Sequence, residues 1–166
     1  MNTNKTPSVA PHPSHDRPVF EQEIDTYRVK GKLSEPTVCK MCKAVFHDGR
    51  WQWIATPIFS DPVICPACQR IKDDFPAGYV TLQGPFFRAH EEEIMHLIKH
   101  HTEHERNEHP MKRIIKIMQN DDNVLITTTD MHLARGLGEV VHHAYQGKLD
   151  VDHVSGENLV RVHWSR

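Results

Sequence analysis

Cys39-Lys40-Met41-Cys42 and Cys65-Pro66-Ala67-Cys68, with 22 residues between the two pairs, decide how this chain is read. Each Cys-x-x-Cys makes a tight turn that aims two thiolates at one point, and two such turns complete a tetrahedron around one ion. The competing readings are a redox dithiol and a pair of disulfides. A redox Cys-x-x-Cys opens a helix in a βαβ setting, and two of them in one short module do not fit that pattern. Four thiolates fill the coordination sphere and leave no position for water, which points to structure rather than catalysis. The spacing therefore predicts one structural zinc ion held by Cys39, Cys42, Cys65 and Cys68. Between the pairs, Arg50-Trp51-Gln52-Trp53-Ile54-Ala55 is strand-like and long enough for a hairpin. Residues 34–76 are read as this zinc ribbon, a module too small to own a core, so the metal replaces one.

N-terminal to the module, residues 1–33 are rich in Pro, Ser, Thr, Asn and charge and lack a hydrophobic period. They read as a flexible tail. Arg17, Phe20, Tyr27, Arg28, Lys30 and Lys32 space aromatics among cations, as a segment that orders against RNA requires. Asp16, Glu21, Glu23 and Asp25 dilute that pattern, and a plain solvated leader is the alternative. Met1 to His15 has no apolar core or cleavage pattern, so no secretory signal is read there. No stretch approaches the ~20 apolar residues of a bilayer span. The expectation is a cytoplasmic protein with no membrane partner, in a compartment where paired cysteines mean metal more often than disulfide.

C-terminal to the module, residues 77–166 read as one α+β domain. Gly78–Gln83 is a strand closed by Gly84-Pro85. Arg88 to about Asn107 is a helix whose inner stripe is Ile94, Leu97, Ile98 and His101. Arg113–Met118 is a strand, or a helix begun by Pro110. Asn120–Asn123 is a turn and Val124–Thr128 a strand. Thr129 or Asp130 caps a helix to about Tyr145, with Ala134, Leu137, Val141 and Ala144 inward; Gly147 ends it. Leu149–Val154 and Leu159–Trp164 form a hairpin. The first six elements match the βαββαβ order of a ferredoxin-like sandwich, with an extra C-terminal strand. Sheets of this kind often bind RNA, though fold alone decides no function.

Formal net charge is −2, which argues against blanket nucleic-acid binding, but the charge is segregated. From Arg28 to Lys72 there are eight basic residues against three acidic ones; from Glu91 to Glu108, six glutamates face only Lys99 and Arg106. The candidate RNA contacts are Lys40, Lys43, Arg70 and Lys72 beside the knuckles, and Arg50, Trp51 and Trp53 on the hairpin. Base–aromatic stacks are worth about 1–3 kcal/mol each; the other reading is that the indoles cover the metal core and the cations only solvate the module. Thr127–Asp130 is either an anion site at a helix start or ordinary capping. Gly136 and Gly138 inside that helix suggest close backbone approach, to the sheet sooner than to a ligand. His96, His100 and His104 share one helix face, as a second metal site, a pH-sensitive surface or a solvated face. No nucleophile elbow, phosphate loop or paired-carboxylate motif is present, so the chain is not read as an enzyme.

Several segments together suggest a family. They are Pro36-Thr-Val-Cys39, Gly49-Arg-Trp-Gln-Trp53, Cys65-Pro-Ala-Cys68-Gln-Arg-Ile71, Pro76-Ala-Gly78, Ile126-Thr-Thr-Thr-Asp130-Met-His-Leu-Ala134 and Arg161-Val-His-Trp164. In these the chain resembles bacterial zinc-ribbon proteins similar to the N-terminal half of the nonsense-mediated-decay protein three family, the export adaptors of the large ribosomal subunit. The adaptors carry further cysteine pairs and downstream domains that this chain lacks, and nuclear export has no meaning in a bacterium. What the resemblance implies is docking on a ribosome through ribosomal RNA and protein. The expectation is a monomeric, ribosome-associated, RNA-binding zinc protein without a small-molecule substrate. Its role would lie in subunit assembly or in occupying idle ribosomes during stress. The alternative is a zinc-dependent protein-interaction regulator that binds no RNA and uses the acidic helix as its contact surface; a third reading is an enzyme using the histidine face.

Overall fold

Strand gives way to helix where the hydrophobic period along the chain changes from two residues to about 3.6. The computed structural model describes residues 26–27 and 31–166, and these build two β-sheets and four helices. The first sheet belongs to the cysteine module. Its strands are β1 (Thr37–Cys39), β2 (Val45–His47), β3 (Arg50–Gln52) and β4 (Asp61–Val63), in the order β3-β2-β1-β4. β2 and β3 form the hairpin expected from Arg50–Ala55, though pairing stops at Gln52. β4 returns parallel to β1 and leads into helix α1 (Pro66–Asp73).

The second sheet contains β5 (Gly78–Gln83), β6 (Ile114–Gln119), β7 (Asn123–Thr128), β8 (Lys148–His153) and β9 (Val160–Ser165). Helices α2 (Pro85–Ala89), α3 (Glu91–Glu108) and α4 (Met131–Tyr145) complete the unit. The mixed α+β class and the strands of residues 77–166 agree with the sequence reading, and residues 114–119 are strand rather than helix. The strand order differs from a ferredoxin-like sheet. It is β6-β7-β5-β9-β8, so the last strand does not append to an edge but lies between β5 and β8, parallel to β5 and antiparallel to β8. Side-chain chemistry explains the placement. β9 buries Val160, Val162 and Trp164 completely, as an interior strand must. β8 alternates Lys148, Asp150 and Asp152 with Leu149 and Val151, the charged pattern that protects an edge. β6, the other edge, carries a register shift between Ile114 and Lys116.

Val80, Leu82, Val124, Ile126, Val162 and Trp164 form one core with Phe87, Ile94, Ile98, Leu133, Leu137 and Val141 of the helices. The predicted single helix from Arg88 is two. Pro85 sits at the first helical position of α2, and the chain bends at His90 before α3 begins. The bend seats Phe87 in the core and stacks Phe86 on His90 with ring centroids 4.2 Å apart. Asp130 caps α4 by accepting a hydrogen bond from the Leu133 N–H at 2.8 Å, so the polar run before this helix is a cap. Gly138 lies against β9 and β8: a Cβ there would collide with Val162 and stand 3.0 Å from Leu149 Cδ1. Gly136 instead faces His101 on α3. Ala144, expected inward, is exposed. Among the described residues no helix is long and apolar enough to cross a membrane.

Candidate metal centre

The four cysteines come together from three elements. Cys39 ends β1, and the chain turns through Lys40–Lys43 with Lys43 in the left-handed region at φ 68°. The Lys43 N–H closes this turn on the Cys39 carbonyl at 2.9 Å, and Cys42 hangs from it. Cys65 is the N-cap of α1, with Pro66 at the first helical position, and its sulfur accepts from the Cys68 N–H at 3.4 Å. The Cys65 N–H in turn donates to Cys39 Sγ at 3.3 Å, joining the two knuckles. The second pair does open a helix, the feature expected of a redox motif, but its sulfur lies beside the other pair: Cys42 Sγ and Cys65 Sγ are 3.7 Å apart. A disulfide requires about 2.05 Å. A tetrahedral ion with metal–sulfur bonds of about 2.3 Å requires sulfurs roughly 3.8 Å apart. All four ligand atoms fall within 4.8 Å of one another, so the group is able to hold one metal ion.

The sulfurs are unequal. Burial opposes ionisation of Cys39, but N–H donors at Cys42, Cys65 and Met41 outweigh it and draw the thiol down to about 6. Burial pushes the Cys65 thiol up, and the neighbouring sulfurs push it further. Cys68 is also raised by burial, against the pull of Arg113.

That arginine is the residue the sequence reading missed. Arg113 precedes β6 in the second sheet's unit and is only 7% exposed. Its guanidinium donates to Cys42 Sγ at 3.0 Å and Cys68 Sγ at 3.2 Å, and reaches Cys65 Sγ at 3.9 Å. Burial works against its charge, yet the sulfurs of Cys42 and Cys68 hold its proton more firmly than in water. No local pattern marks Arg113. The one available signal was chemical: a buried four-thiolate centre carries excess negative charge and calls for a nearby cation.

The predicted RNA contacts scatter. Lys40 and Lys43 are exposed on the first knuckle, where Lys43 Nζ donates to the Lys40 carbonyl at 3.1 Å. Arg50 is exposed at the opposite end of the β2–β3 hairpin, and Lys72 in the last turn of α1. Arg70 is corrected: it is 3% exposed, donates to the Phe75 carbonyl at 3.0 Å and lies 4.6 Å from the Tyr27 ring. Trp51 is half-buried against the cysteine cluster. Trp53 is 37% exposed and its indole N–H donates to the Arg106 carbonyl at 2.7 Å. The two indoles therefore serve the module and its junction with α3 rather than forming one open platform.

Among the predicted tail contacts, Arg17, Phe20, Arg28 and Lys30 lie outside the described residues. Lys32 is exposed. Tyr27 packs on its own chain, 5.5 Å from the Phe75 ring, with its hydroxyl donating to Asp73 at 3.1 Å. Among the described residues, His96, His100 and His104 form no group of converging metal ligands. Glu35, His47 and Asp48 do converge, but they are exposed, and the two carboxylates flank opposite ring nitrogens of His47 at 3.7 Å each.

Fold and site define an α+β protein of two sheets with a four-cysteine centre able to hold one metal ion. No family model, curated protein or solved structure matches the chain.

Proposed function

We propose that this chain is a ribosome-associated, RNA-binding zinc protein with no catalytic activity, acting in subunit assembly or in occupying idle ribosomes. The observation that carries this reading is the rigid presentation of Lys40 and Lys43. Both side chains are exposed on a turn pinned by hydrogen bonds from the Lys40 N–H to Val63 and from the Lys43 N–H to Cys39, at 2.8 and 2.9 Å. A pinned turn fixes the spacing of the two backbone positions, so only the lysine side chains are left to order on meeting phosphate. Zinc suits the four-thiolate donor set and the tetrahedral sulfur spacing. The glutamates of α3 lie on a different unit and disfavour RNA there, which makes contact one-sided. Charge reversal at Lys40, Lys43 and Lys72, all exposed, leaves the buried Arg70 intact and tests the reading directly. In sucrose gradients the wild-type chain is expected to travel with ribosomal particles, less so at high salt. The triple variant should bind one zinc per chain and remain at the top of the gradient. Undiminished co-sedimentation of that variant would sink the assignment of the contact.

One observation favours the alternative, a protein-interaction regulator. Ile58 and Phe59, on the β3–β4 loop, are 93% and 87% exposed, and between Trp51 and Gln69 the only charged residue is Asp61. An apolar tip without cations suits a protein pocket rather than phosphate. Loss of binding in Ile58→Ser/Phe59→Ser, with retention in the lysine variant and no RNA crosslinks, would establish it.

A further inference from the structure

We propose that Arg113 is a positioning residue of the metal centre, through which metal occupancy controls how the cysteine module docks on the five-stranded unit. The inference rests on the zinc reading above. Arg113 is held from its own side: its Nε donates to the Pro110 carbonyl at 2.7 Å, its backbone N–H donates to Thr129 Oγ1 at 2.9 Å, and its carbonyl accepts from the Thr129 N–H at 2.9 Å. The end of the guanidinium then reaches across to Cys42, Cys68 and Cys65. A planar fork of N–H groups can address several sulfurs at once, which a lysine ammonium at the same position does less well.

The charges make this contact conditional. Four thiolates around a divalent ion carry two net negative charges, and one guanidinium halves that excess. The sulfurs stay grouped, as acceptors for Arg113, because an ion holds them. Without the ion, the arginine is a buried cation facing sulfurs that only backbone contacts draw together, such as the β1–β4 pairing and the bond from the Cys65 N–H to Cys39 Sγ. The thermodynamic consequence runs both ways: metal strengthens docking, and docking strengthens metal binding by the same factor. A second contact lies beside the first. The Trp53 ring is 5.7 Å from the Arg113 guanidinium and 5.6 Å from that of Arg106, and its N–H is bound to the Arg106 carbonyl. Trp53 follows β3 in the module, Arg106 lies in the last turn of α3, and Arg113 precedes β6. The joint therefore joins the ion to the end of the longest helix.

The test uses the full chain as wild type, Arg113→Met and Arg113→Lys. It measures zinc affinity by competition with a colorimetric chelator, the thiolate-to-metal absorption of the cobalt(II)-substituted protein, and backbone hydrogen exchange at residues 104–113. Removing an outer partner of a metal ligand typically costs 10–100-fold in affinity. Arg113→Met should show a loss of about that size, and Arg113→Lys a smaller one. Hydrogen bonds to sulfur hold its electrons more tightly, so the cobalt band should move to longer wavelength in Arg113→Met. In wild type, zinc should slow exchange at residues 104–113; in Arg113→Met it should not. Should Arg113→Met fail to fold even with zinc, Arg113→Lys decides, with an intermediate affinity and a shifted band expected. Wild-type affinity and an unshifted band in the foldable variant overturn the proposal. A wild-type chain that takes up neither zinc nor cobalt overturns the zinc reading itself.

Discussion

A charged side chain that leaves water must find its opposite nearby, and one pair beyond the cysteine cluster shows this. Glu105 and Lys112 form an ion pair at 2.5 Å, with side chains 22% and 23% exposed. The hydrogen bond from Lys112 holds the Glu105 carboxyl below its usual range, more than burial raises it. A carboxylate depressed in the folded state stabilises the fold above its unfolded pKa, and that stabilisation fades as pH falls through the folded value. Glu105→Gln should therefore lower stability near neutral pH, by no more than about 1 kcal/mol. Denaturant titrations of the two proteins should converge below about pH 4. The clustering of the four cysteines was legible because their spacing is local and their chemistry has few alternatives. Arg113 was not, because it lies 45 residues from Cys68 in the chain and at the start of a stretch whose apolar residues and preceding Pro110 speak only of a strand or a helix. Arg70 misled for the opposite reason. In sequence it stands beside a knuckle among polar neighbours, whereas in the fold the rings of Tyr27 and Phe75 lie over its guanidinium.

The elements themselves were mostly legible, since the periods that mark them are local: Val80 and Leu82 alternate with Thr81, and Leu133, Leu137 and Val141 recur at helical spacing. The division at His90 was not, because Pro85 reads equally well as the close of a strand or the first residue of a helix. Helix α4 provides a paired test of what its two glycines do. Gly136 has only His101 Nε2 within reach of an added Cβ, at 3.4 Å. Gly136→Ala should stabilise by about 0.5–1 kcal/mol through helix propensity. At Gly138 the same methyl meets Val162 and Leu149 on the sheet. There the overpacking cost of about 1–3 kcal/mol exceeds the propensity gain. Thermal unfolding should move up by a few degrees for the first substitution and down for the second. Equal shifts would show that α4 does not approach the sheet as closely as described.

At the scale of the molecule, strand order was the feature hidden from sequence. The hairpin of β8 and β9 follows from the turn Ser155–Asn158, but nothing near that turn says which strand faces β5. The choice is made by what each strand can bury, a property of the finished sheet. It has a consequence in time. β8 pairs only with β9, and β5 meets β9 along its whole length from Gly78↔Val160 to Gln83↔Ser165. Roughly 80 residues of chain separate those partners, so at about 5–20 residues per second translation leaves β5 waiting some 4–16 s for its neighbour. Until then Val80 and Leu82 border an open edge, and the core lacks Trp164. Parallel pairing across so long a separation is slow by nature, which makes the newborn chain most prone to misassociation just before its final strand arrives.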